Sequence, residues 1–244
     1  MNRKTFALLI SLVLLISACG GAGQEAPLPP ASFHPQIVSY SASVRVPSGK
    51  AATVSASCKP GEQMLGGGFG SSDLFESAAS IISSYPSAAT TWTVTGVSTA
   101  SFFNANVEVY CLQSDLPLQV SIVHATAPKV ACPQKTVLLS EGMRSLSSDV
   151  YNPAGRTSYA LCAASHATLG QRPTTVFNPH SSLHSYSPGA GAVTCPTGQV
   201  AVGGEYQGDS ILGSAAGSSF TGWSVLASGD TDVTITALCV VFTQ

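Results

Sequence analysis

The chain has 244 residues, with 10 Lys+Arg against 12 Asp+Glu and a formal net charge of −2 at pH 7. Charged residues make up only 9% of it, and no basic run exists that could neutralise phosphates, which argues against nucleic acid as a partner. The length suffices for one large β-domain or two small ones with an ample core.

In chain order, a basic start (Arg3, Lys4) leads into an apolar run from Phe6 to Ile16. A helix needs roughly 20 apolar residues to span a bilayer, so this shorter run reads as the core of an export signal. Small residues Ser17 and Ala18 then precede Cys19. The stretch Leu14-Leu15-Ile16-Ser17-Ala18-Cys19 resembles the lipobox of bacterial lipoproteins. In that family a peptidase cuts before the cysteine, and the cysteine carries the lipid. The resemblance implies a signal peptide over residues 1–18, lipidation of Cys19 and an extracytoplasmic protein anchored to a membrane. Gly20 stands where an aspartate would retain such a protein at the inner membrane, so the outer membrane is implied for a Gram-negative cell. Residues 19–36 join the lipidated cysteine to a Pro/Gly linker, stiffened by prolines 27, 29, 30 and 35. Fully extended, residues 20–36 reach roughly 55 Å.

From residue 37 to 244 the chain repeats itself as a single β domain, in copies spanning 37–115, 116–167 and 180–244. Each copy opens on a cysteine, a turn and an apolar stretch. The first runs Cys58-Lys59-Pro60-Gly61 to Gly66-Gly67-Gly68-Phe69, and the third Cys195-Pro196-Thr197-Gly198 to Gly203-Gly204-Glu205-Tyr206. The second, Cys132-Pro133-Gln134-Lys135 to Ser140-Glu141-Gly142, lacks the turn glycine. Each copy closes on a strand that ends in Cys111, Cys162 or Cys239. Copies one and three carry a further strand around Trp92 and Trp223. Short strands at Ile37–Ser41, Val120–His124 and Leu183–Tyr186 precede the copies, and residues 165–182 read as a connecting loop. Period-two alternation, β-branched enrichment and Gly/Pro/Ser punctuation all predict strands. The fold class is therefore all-β. Each copy is expected to form a small antiparallel sheet of about four strands that cannot bury its apolar face alone. Three such sheets sharing a core make a pseudo-threefold β-prism, with a β-sandwich as the alternative.

This Cys-Pro-x-Gly…Gly-Gly pattern resembles repeats of secreted bacterial proteins. The three-unit layout also resembles the vitelline membrane outer layer protein I family, which is a β-prism. The Asp-Asp-Thr-Ala stretches of that family are absent, so no binding site is carried over.

Seven cysteines less Cys19 leave an even number, which in an exported chain implies disulfides. Several pairings are open to six cysteines. One opening and one closing cysteine per copy predicts Cys58–Cys111, Cys132–Cys162 and Cys195–Cys239.

Candidate chemistry is sparse. His180 and His184 could share a face, but they lie among serines and prolines and read as loop residues. Gly66 to Ser72 lacks the lysine of a phosphate-binding loop, and the recurrence of Gly-Gly at 203–204 points to a bulge or tight turn. Asp230, Asp232 and Asp209 offer calcium-type oxygens, but Gly229-Asp230 fits a hairpin turn better. No Gly-x-Ser-x-Gly elbow or His-Glu-x-x-His motif occurs. Trp92 and Trp223, at equivalent positions, are expected in the core. Tyr40, Tyr85, Tyr151 and Tyr186 are the candidates for ligand contact. No metal or cofactor is expected. These observations predict a non-catalytic lipoprotein domain for surface binding of a carbohydrate or protein, or for envelope structure. The alternative is a secreted hydrolase acting on envelope glycans, which would need two carboxylates facing one cleft.

Overall fold

The computed structural model describes residues 35–71, 79–99, 101–114, 118–145, 155–179, 189–208, 211–229 and 231–243. They form sixteen strands and no α-helix. The first copy supplies β1 (Gln36–Val46), β2 (Ala51–Ser57), β3 (Gln63–Ser71), β4 (Ala79–Ala88), β5 (Thr91–Ser98) and β6 (Phe103–Gln113). The second supplies β7 (Val120–Ala125), β8 (Val137–Ser145) and β9 (Arg156–Ala163). After β10 (Ala167–Leu169) and β11 (Thr174–Phe177) come β12 (Gly189–Thr194), β13 (Val200–Gln207), β14 (Ile211–Ala216), β15 (Gly222–Ala227) and β16 (Val233–Phe242). Residues 165–182 are thus not simply a loop, because β10 and β11 lie within them. The expected strand at Leu183–Tyr186 lies outside the described residues.

Three antiparallel sheets enclose one core. Their strand orders are β1-β6-β3-β14-β15-β12, then β2-β5-β4-β8-β9-β7, and finally β10 and β11 on one side of β16 with β13 on the other. A single cluster holds core residues from all three, including Val109, Leu139, Trp92, Trp223 and Ile235. The expectation of one sheet per copy is corrected. Each copy builds an inner triplet of pre-strand, closing strand and opening strand, β1-β6-β3, β7-β9-β8 and β11-β16-β13, the last taking its pre-strand β11 from the connecting segment before the third copy. Copies one and three add a second triplet around the tryptophan strand, β2-β5-β4 and β12-β15-β14. The second triplet of one copy extends the inner triplet of another. Ser214 on β14 pairs with Phe69 on β3, and Ser84 on β4 pairs with Met143 on β8. The second copy has no such triplet among the described residues.

The solvent side explains the low charge. Between β2 and β5, Thr53–Thr95, Ser55–Thr93 and Ser57–Thr91 form a ladder of hydroxyl pairs at 2.9, 2.7 and 2.8 Å. Cross-strand hydroxyl pairs of this kind suit a pleated sheet without charges, with Thr93 buried between Ser55 and Ser87 and the outer pairs exposed.

The Gly-Gly motif sits where the three sheets meet. Each opening strand carries a bulge at the same place, between Met64 and Gly66, Leu138 and Ser140, and Ala201 and Gly203. The extra residue in each, Leu65, Leu139 or Val202, is buried. Positions 66, 140 and 203 then converge. A Cβ on Gly203 would lie 2.8 Å from the Leu139 carbonyl oxygen, and one on Gly66 would overlap that of Val202. Of the three, only Ser140 carries a side chain, so the junction holds one β-carbon and no more.

Three disulfides join Cys58 to Cys111, Cys132 to Cys162 and Cys195 to Cys239, each within one copy. The turn after each opening cysteine is the same. Glu62, Thr136 and Gln199 donate their backbone N–H to the carbonyls of Lys59, Pro133 and Pro196 at 3.0, 3.2 and 3.0 Å. The third residue after the cysteine is left-handed in every copy, with φ of 88° at Gly61, 65° at Lys135 and 80° at Gly198. The second copy keeps this turn without its glycine, at a conformational cost for Lys135.

Candidate functional site

Aligning the copies on their opening cysteines places Glu141 opposite Gly67 and Gly204. In the complete copies that glycine is pressed against a tryptophan: a Cβ on Gly67 would overlap the Trp92 indole, and one on Gly204 the Trp223 indole. Each indole is buried and donates its N–H to the equivalent serine, Trp92 to Ser84 Oγ at 2.9 Å and Trp223 to Ser214 Oγ at 2.8 Å. Both tryptophans are core anchors. The second copy has neither the tryptophan strand nor the glycine among its described residues, and a cleft of about 280 Å³ opens there.

The cleft lies between the ends of the three opening strands. Phe69, Met143 and Tyr206, which occupy the same position in their copies, all line it. Phe69 and Tyr206 meet edge-on with ring centroids 6.2 Å apart. The tryptophans form part of the wall, and Pro128, Lys129 and Val130 form another part. Ser158 stands where copy one has Val107 and copy three Ile235, and it donates to the Ala127 carbonyl at 2.5 Å. The second copy therefore lines the shared interior with a serine and a glutamate where the others place Val and Gly or Ile and Gly.

Two carboxylates face this cleft, and their surroundings differ. Glu205 is held by Lys129 at 3.0 Å and by Arg172. Glu141 makes no ion pair among the described residues, and desolvation raises its carboxyl above the ordinary 4.5, while Lys129 and Arg172 pull it back only in part. Glu205 is thus paired with two cations while burial raises Glu141, an arrangement that can hold a polar ligand.

The sequence-predicted tyrosines divide. Tyr40 donates to Glu62 Oε1 at 2.7 Å and lies under Lys59, whose Nζ is 4.9 Å from the ring. Gln113 donates to the same oxygen at 2.6 Å, and the Lys59 backbone N–H to Oε2 at 2.9 Å. Desolvation pushes Glu62 up, but these hydrogen bonds together outweigh it and leave the carboxyl below its ordinary value. Tyr40 is thereby engaged in closing the first turn. Tyr85 stacks at 4.9 Å on Tyr159, which in turn is 5.4 Å from His124, and Arg144 lies 5.6 Å above Tyr85. Gly142 lies beneath the pair, and a Cβ there would sit 2.7 Å from the Tyr85 Cα. Of this row, Tyr159 reaches the cleft and Tyr85 does not. Cys19, Tyr151, Tyr186, His180, His184, Asp209 and Asp230 lie outside the described residues. Asp232 accepts from Asn178 at 3.0 Å.

Glu141, Glu205, Lys129 and Tyr206 were not singled out by sequence reasoning, although the alignment on the cysteines holds the signal for Glu141. Cys58, Glu62 and Cys111 lie close enough to suggest a metal site, but the two sulfurs are joined as a disulfide and offer no thiolate. No protein-family model matches the chain, and no curated protein is significantly similar to it in sequence.

Proposed function

We propose that this chain is a lipid-anchored extracytoplasmic lipoprotein whose β domain binds a ligand in the cleft between the opening strands without transforming it. The cleft is the observation that carries the reading: it is lined by Phe69, Tyr206 and two tryptophans beside a small set of charged groups, the usual makeup of a binding pocket. Three disulfides support an oxidising compartment, and the lipobox resemblance at Cys19 supports the anchor. Cys19→Ala is expected to move the protein from the membrane to the soluble fraction, and unchanged fractionation would refute the anchor. A glycan array and a pull-down with the full chain test ligand binding. Glu141→Lys, which places a long cation in the cleft, is expected to abolish any interaction found.

A specific observation favours the second reading, a hydrolase for envelope glycans. Glu141 and Glu205 both line one cleft, Glu205 in ion pairs and Glu141 raised by burial, and glycoside hydrolysis needs two carboxyl groups facing one cleft. Release of reducing ends from cell-wall glycan by the wild type, lost in Glu141→Gln, would select it over the binding reading.

A further inference from the structure

The second copy leaves open a strand edge as well as a cleft. In the first sheet β3 is continued by β14, and in the second β8 is continued by β4. The third opening strand, β13, pairs with β16 alone among the described strands, and on its other edge the Ala201 N–H donates to the Phe220 carbonyl at 2.7 Å, so that the open part is the Gly204–Gln207 end. Its exposure follows from this. Phe69, opposite Ser214, is 8% exposed, whereas Tyr206, at the same position of β13 and opposite no strand, is 37% exposed. The cleft adjoins this edge, since Gly204, Glu205, Tyr206 and Gln207 all line it. Two features thus coincide among the described residues, an unpaired strand end and a cleft beside Glu141 where the other copies hold a tryptophan. The surrounding charge is unbalanced. Lys129 and Arg172 hold Glu205, and Arg156 lies close enough to Tyr206 to act on its hydroxyl. Among the described residues, three cations, two of them paired with Glu205, thus lie about the site against Glu141 and Glu205.

We propose that β13 and the adjoining cleft bind an extended segment of another polypeptide as an added strand, with one aromatic side chain in the cleft and acidic residues beside Lys129, Arg156 and Arg172. The inference rests on the binding reading and names its partner class. The molecule supplies the template twice, because β14 and β4 each add to an opening strand while the strand beside them buries a tryptophan. Added strands gain affinity from main-chain hydrogen bonds and specificity from side-chain pockets. An edge left open in this way is otherwise prone to unselective pairing.

The test uses the full-length protein and a synthetic peptide of residues 211–227 with one glutamate added at each end. Amide exchange is followed along β13. The amides of the Gly204–Gln207 end of β13 that are not bonded to β16 are expected to exchange quickly in the protein alone and at least tenfold more slowly with saturating peptide. A peptide carrying Trp223→Ala is expected to bind at least tenfold more weakly, and about 1 M salt, which screens beyond a few ångström, to weaken the intact peptide severalfold. Tyr206→Ala is expected to weaken binding at least tenfold while lowering the melting temperature by only a few degrees, through loss of its edge-on contact with Phe69. Equal protection of β13 with and without peptide, or equal binding of the Trp and Ala peptides, would overturn the inference. Protection of the cleft by an oligosaccharide, with none by the peptide, would overturn it too while leaving the binding reading in place.

Discussion

The first and third copies and the second copy solve the same folding problem with different parts. The complete copies place two glycines at the junction of the sheets and fill the space beyond with a buried tryptophan on a second triplet of strands. The second copy keeps the disulfide, the bulge and the left-handed turn, but carries Ser140 and Glu141 where the others have Gly-Gly. The comparison separates what the shared core requires from what it tolerates. The bulged apolar residue and the cysteine pair recur in all three copies, whereas among the described residues the tryptophan triplet occurs in the first and third, and the cleft lies where the second copy lacks it.

The largest expected effect tests whether the tryptophan triplets hold the complete copies together. Trp223→Ala removes a buried indole and its hydrogen bond to Ser214, and should cost about 4 kcal/mol in chemical denaturation. Trp92→Ala should cost a similar amount, and a marked difference between them would break the equivalence of the two copies. Next comes the junction. Gly203→Val drives a side chain into the Leu139 carbonyl, 2.8 Å from the first added carbon, and is expected to cost about 3 kcal/mol and to lower the melting temperature by roughly 10 °C. Wild-type melting with a lost ligand interaction would show instead that the motif is a site.

A third prediction sets Glu141 against Glu62. Burial raises the Glu141 carboxyl, so the stability associated with it is full below the ordinary 4.5 and is lost as pH rises through its higher folded value. Glu62 behaves in the opposite sense. Its hydrogen-bonded carboxylate contributes above 4.5, and that contribution is lost as pH falls through its lower folded value. Urea titrations across this range should show Glu141→Gln gaining on the wild type as pH rises, and Glu62→Gln gaining on it as pH falls. The smallest effect concerns the second copy's turn. Lys135→Gly relieves a left-handed conformation worth about 1–2 kcal/mol, less the roughly 0.4–1 kcal/mol of added unfolded-state entropy. A net gain of about 0.5 kcal/mol is expected, whereas glycine-to-alanine changes at Gly61 and Gly198 should destabilise.

The strands and the disulfides were legible because both are local or periodic signals. Alternation in Val107-Glu108-Val109 declares a strand with one buried face, and one opening and one closing cysteine per copy selects a pairing. Alternation does not say which strand lies alongside. Nothing local in β3 points to β14, more than a hundred residues later, so the exchange of triplets between copies was hidden. β10 and β11 escaped notice because they are short, lie on either side of Gly170-Gln171-Arg172-Pro173 and bury little. The cleft was the hardest feature to read, since it is created by what one copy lacks. Its trace in the sequence is a charged residue, Glu141, at a position where the other copies have glycine.

The exchange of triplets also sets the order in which the molecule can be completed. The first sheet joins strands of copy one to β12, β14 and β15, and the third depends on β16 near the end of the chain. A chain emerging N-terminus first can finish the β1-β6-β3 triplet early, yet β3 keeps an open edge until β14 arrives. Such long-range pairing is slow and leaves edges exposed in the meantime. The disulfides escape this delay, because each closes within its own copy. Covalent closure of a copy can therefore precede its sheet, so that the order of synthesis is recorded first in sulfur and only later in hydrogen bonds.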